Sequence, residues 1–166
     1  MKHLKLFEEL TFSPKKIFYT KDEGQSTILY SFDYDEYSFM VEFTKCYLMK
    51  DDTISMEKSD DILSELWRRD FHTVEEGFGT LNISGKSAID IYSYVAKITE
   101  DFLNEYNPDI LMMTHTSKSR FNINWKFMEN LNINKDYLIK PINNFSLSSK
   151  TIVIKKNVSD LLKHIK

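Results

Sequence analysis

The sequence predicts an α+β or α/β domain with a mixed, largely antiparallel central sheet flanked by helices. Three observations lead there. Thr27 to Thr44 alternates apolar and polar residues on both sides of a turn, Ala88 to Phe102 repeats its apolar residues at helical spacing, and Ile110 to Met113 is an unbroken apolar run. Period two marks a strand with one buried face and a 3.6 period an amphipathic helix, whereas a short unbroken run suits a strand covered on both faces.

Element by element, His3 to Leu10 places Leu4 and Phe7 at helical spacing, with Leu10 open, and Phe12 and Ser13-Pro14 end this short helix. It reads as a lid on the sheet. Ile28, Tyr30, Phe32 and Tyr34 alternate with Leu29, Ser31 and Asp33, and Tyr37, Phe39, Val41 and Phe43 with Ser38, Met40, Glu42 and Thr44, which predicts an antiparallel hairpin about Asp33-Tyr34-Asp35-Glu36. The apolar parity then moves to Cys46 and Leu48, which calls for a bulge or a strand buried on both faces. Ser59-Asp60-Asp61 leads into Ile62, Leu63, Leu66 and Trp67, predicting a short helix with acids at its start and Arg68-Arg69 at its end. That placement suits the helix dipole, so the two arginines read as solvated end charges rather than a phosphate clamp.

Phe71 to Leu81 returns to strand, interrupted by Gly77 and Gly79. Ser87-Ala88-Ile89-Asp90 has capping spacing, and Ala88, Ile91, Tyr92, Val95, Ile98 and Phe102 form a stripe that runs up to Asn107-Pro108. Asp109 to Thr114 is the buried strand. A strand, a helix and a strand in that order imply a crossover and a locally parallel sheet. Ser119 to Leu131 predicts a helix, Tyr137 to Ile142 and Thr151 to Ile154 a last strand pair, and Val158 to Ile165 a C-terminal helix.

Composition narrows the function classes. The chain has 166 residues, 42% hydrophobic and 14% aromatic, enough for one domain spanning 1–166 with a sizeable core. A formal net charge of −3 argues against a basic face for duplex nucleic acid. The lone cysteine, Cys46, excludes an internal disulfide and reads as a buried strand residue. With neither a signal-peptide layout nor a long apolar run, the expectation is a cytoplasmic protein with no membrane association. His3, His72, His115 and His164 lack metal-ligand spacing, so no metal site is expected. The aromatics follow core periodicity rather than forming a stacking platform, and Lys150, Lys155, Lys156, Lys163 and Lys166 read as a solvated face.

The strongest functional lead is the turn before the long helix. Ser84-Gly85-Lys86-Ser87-Ala88 feeds a helix N-terminus, where free N–H groups and the dipole favour a phosphate or carboxylate. His115 ends the buried strand beside Thr114, Thr116, Ser117 and Lys118, the place where open sheets bind ligands. Arg120 opposes the dipole of its helix and so asks for a carboxylate or ligand phosphate as its partner. His115, Ser117 and Arg120 are therefore candidate ligand or partner contacts.

Over roughly residues 15 to 156, this order of elements resembles the GNAT acyltransferase layout. The resemblance implies that Asn82, Ser84, Gly85, Lys86, Ser87 and Ala88 stand where that family holds the pyrophosphate of acyl-CoA. Asn82 replaces the family's Gln or Arg, and Ser87 its last small residue. Asn124 falls where the family often has a Tyr that protonates the leaving thiolate, and an amide cannot act as an acid. Glu75 or Glu76 lies on the strand where a general base could sit. The chain also resembles small phage-encoded proteins of unassigned role, through Phe78-Gly79, Gly85, Tyr92 to Val95, Pro108-Asp109-Ile110 and Ser119-Arg120.

Together the likenesses imply a phage-type GNAT-like protein, without catalysis and without a cofactor, that binds a host or viral protein or a small ligand in the cytoplasm. One alternative is an N-acyltransferase that uses acetyl-CoA, with Glu75 or Glu76 as base and Tyr92 or Tyr137 as acid. The other is a structural subunit of a virion or complex.

Overall fold

A 13-residue strand, Tyr37–Met49, organises the sheet and buries residues on both of its faces. The computed structural model describes residues 18–74, 86–143 and 149–166. In order these form β1 (Thr20–Glu23), β2 (Thr27–Tyr34), β3 (Tyr37–Met49), β4 (Ile54–Ser55), β5 (Ile62–Thr73), α1 (Lys86–Tyr106), β6 (Ile110–His115), α2 (Lys118–Met128), β7 (Tyr137–Asn143), β8 (Ser149–Lys155) and a C-terminal 3-10 helix, Lys156–His164. The predicted helix over His3 to Leu10 lies outside the described residues.

The strand order is β1-β2-β3-β5-β6-β8-β7, with β4 paired to β3. Among the described residues only β5 and β6 run parallel, Trp67, Arg68 and Arg69 pairing with Leu111, Met112 and Met113, while the other pairs are antiparallel. The fold class is thus α+β with a mixed, mostly antiparallel sheet, as the periodicity predicts.

The β2–β3 hairpin closes with Tyr34 opposite Tyr37. Asp35 takes φ 53, a left-handed conformation that a short polar residue tolerates in a two-residue turn. Ile28, Tyr30 and Phe32 face Phe43, Val41 and Phe39 on one side of the sheet. There α1 covers them with Ile91, Val95, Ile98 and Phe102, and the Phe102 ring stacks on Phe43 with centroids 3.8 Å apart. After Phe43 the buried residues of β3 are Thr44, Cys46 and Leu48, while the register with β5 stays continuous as far as Leu48. The change of parity is therefore a second core and not a bulge. Cys46 and Leu48 join Leu66, Ile110, Met112, Ile152 and Ile154 on the opposite face, against Val158, Leu161 and Leu162 of the 3-10 helix.

The predicted helix over Ile62 to Trp67 is a strand. Burial on both faces gives its apolar residues a spacing that mimics a helix, and β5 runs from Ile62 to Thr73. Arg69 is accordingly not a solvated end charge, for it projects into the core with 4% of its surface exposed. The parallel relation of β5 and β6 agrees with the strand–helix–strand reading. α1 begins at Lys86, so Ser87 lies inside its first turn rather than capping it. Its far end has Asn107 at φ 47, whose N–H returns to Leu103 O. The C-terminal segment is 3-10 rather than α, and neither β1 nor β4 is foreseen from the sequence.

Candidate functional site

Arg69 has the same strand parity as Trp67 and Phe71, both of which pack against the core under α1. Phe43 stands beside it on β3 and Met113 on β6. Nη1 donates to Thr99 Oγ1 of α1 at 3.0 Å, and Nη2 to Asn124 Oδ1 of α2 at 2.6 Å. Nε–H has no hydrogen-bond partner among the described residues. No carboxylate is hydrogen-bonded to Arg69 among the described residues, and the adjacent Asp70 binds Arg68 at 2.9 Å. Burial pushes the guanidinium down to about 10, against smaller upward effects from Tyr92 and Asp70.

The polar contacts continue through the core. Thr99 accepts from Arg69 and donates to Val95 O at 2.7 Å. Asn124 Nδ2 lies 3.4 Å from Thr151 Oγ1 and 3.8 Å from Met113 Sδ. Thr151 Oγ1 in turn lies 3.5 Å from His115 Nε2. A buried line Thr99–Arg69–Asn124–Thr151–His115 thus joins both helices to β5, β8 and β6. His115 is buried, its ring edge-on to Phe121 at 5.9 Å. Burial first, then the charges of Arg69 and Arg120, push the imidazole down to about 3. Burial raises the Tyr92 phenol, although the same two arginines pull the other way. Neither group is tuned towards neutral pH, as general acid–base catalysis requires.

The sequence-predicted contacts His115, Ser117 and Arg120 gather where β6 meets α2. Ser117 caps that helix, its Oγ accepting the Arg120 N–H at 3.3 Å. Lys86, Ser87 and Ala88 form the first turn of α1, with the Ala88 side chain buried. Glu75, Glu76, Asn82, Ser84 and Gly85 lie outside the described residues. The alternative acid Tyr137 stands apart, donating to Pro108 O at 2.6 Å near the start of β6. From sequence alone Arg69 reads as a solvated end charge rather than a site residue, Thr151 only as the start of a strand, and Thr99 does not stand out. The usable signal was the parity of Arg69 with Trp67 and Phe71, which places a charge in an apolar row.

The site has a definite place in the sheet. Pairing between β5 and β6 stops at Arg69 and Met113, while β5 continues to Thr73 and β6 to His115. Thr73 Oγ1, 2% exposed, has no hydrogen-bond partner among the described residues. Open sheets take ligands beyond the carboxyl ends of parallel strands. Among the described residues no group of His, Cys, Asp and Glu could hold a metal ion, and no helix is long and apolar enough to cross a membrane. No family model and no curated protein matches this sequence.

Proposed function

We propose that this chain is a GNAT-like domain of the small phage-encoded kind that lacks acyl-transfer catalysis and works by binding a small ligand at the carboxyl ends of β5 and β6. Asn124 carries the reading. At the position where the resemblance asks for a proton donor stands an amide, 1% exposed and held by Arg69 at 2.6 Å. An amide donates hydrogen bonds but does not titrate as an acid. The downward shift of His115 and the upward shift of Tyr92 support the same conclusion.

Calorimetric titration with acetyl-CoA and CoA, alongside an acetylation assay on amine acceptors, tests the proposal. The expected result is neither heat nor turnover from a folded sample. Acetyl-CoA affinity of roughly 10 μM, about −7 kcal/mol, that is lost in Gly85→Asp and accompanied by turnover would establish the acyltransferase instead.

A further inference from the structure

We infer that the Arg69 guanidinium receives a small oxyanion, a carboxylate or phosphate group, as the hydrogen-bonded counter-charge that no described residue supplies. This deepens the ligand-binding reading above and rests on it.

A guanidinium taken out of water is costly unless it is paired and its hydrogen bonds are met. Arg69 is 4% exposed, and among the described residues its two side-chain hydrogen bonds go to neutral oxygens, of Thr99 and Asn124. Its Nε–H is left over, and the planar fork of arginine is shaped to grip two oxygens of one carboxylate or phosphate. The surroundings favour an anion. Arg120 adds a second positive charge felt by both His115 and Tyr92, and His115 stays neutral beside the two cations. The polar line from Thr99 to His115 contains amide, hydroxyl and imidazole groups but no carboxylate. The position agrees as well, because Arg69 is the last residue of β5 paired to β6.

The chain has only Arg68, Arg69 and Arg120, so the Nε–H region of a nitrogen–proton correlation spectrum holds three arginine signals. Arg68→Lys and Arg120→Lys assign them by elimination without touching Arg69. The full-length protein in a chloride-free buffer is titrated with sodium acetate and, separately, with inorganic phosphate. The expected result is a saturable shift of the Arg69 signal together with a rise in Tm. Response to acetate alone identifies a carboxylate ligand, and response to phosphate alone a phosphate ligand. Asn124→Asp, which puts a carboxylate within reach of Nη2, weakens binding at least tenfold. An Arg69 signal and a Tm unmoved by either anion up to about 50 mM would overturn the inference. Acetyl-CoA turnover with anion binding intact would instead overturn the non-catalytic reading and leave this site standing.

Discussion

Replacing Asn124 with leucine removes the 2.6 Å acceptor of Arg69 Nη2 and little else, since leucine has a similar volume and the position is fully buried. A hydrogen bond to a charged group contributes about 1.5–3 kcal/mol, and leaving a buried polar group unmet costs about 1–3 kcal/mol. Leucine's greater apolarity returns about 1 kcal/mol of that. The contacts from Asn124 Nδ2, at 3.4 and 3.8 Å, are long enough that their loss adds little. The expected cost is about 3 kcal/mol, which for a chain of this size lowers Tm by roughly 6–12 °C. Arg69→Met combined with Asn124→Leu removes both partners, and replacing a polar pair by apolar groups of matched shape is often close to neutral. The double variant should therefore be more stable than the sum of the singles implies, with a coupling of about 2 kcal/mol. Urea unfolding of the four proteins measures this directly. Additive single effects, or a cost below about 1 kcal/mol for Asn124→Leu, would show that Arg69 does not depend on this amide.

Two further outcomes follow from the same core. His115 titrates near 3 in the folded protein, below its usual 6.5, so between those values the unfolded chain binds a proton that the native state refuses. Stability then falls as the pH drops through that window, by about 2 kcal/mol from about pH 7 to about pH 5. His115→Leu should flatten that slope in urea titrations at the two pH values, and equal slopes would mean that the imidazole is not held neutral by burial and by the facing Arg69 and Arg120. Phe102 stacks on Phe43 at 3.8 Å and meets Trp67 edge-on at 5.4 Å, so Phe102→Ala should cost about 3–5 kcal/mol, read by the same unfolding assay; a loss under about 1 kcal/mol would contradict this packing.

What could be read in advance divides along a physical line. The hairpin, α1 and β6 were legible because each has one strong period or an unbroken apolar run. β5 was not, since Leu66 points to one core and Trp67 to the other, and two buried faces erase the alternation that marks a strand. Its two arginines then looked like helix-end charges, although Arg69 occupies the apolar parity and Arg68 the other. β1 is too short and polar to show a period, and β4 has only two residues. His115, Ser117 and Arg120 stand out as candidates from their place at a strand end and helix start, which is where β6 and α2 hold them. Asn124 was noticed only as the wrong residue for an acid. Its bond to Arg69 spans 55 residues of sequence, a separation that no local pattern records.

The long central strand has a consequence for how the chain finds its fold. Phe39, Val41 and Phe43 serve one core, while Cys46 and Leu48, farther along the same strand, serve the other. Sliding β3 by one residue against its neighbours would turn both sets outward together, stranding three large apolar side chains on one side and two on the other. An ordinary strand with one buried face loses a single core when it slips. Here an error of alignment carries a double penalty, so β3 acts as a ruler for its neighbours, β2 and β5, and near-miss pairings are shallow traps from which the chain readily escapes.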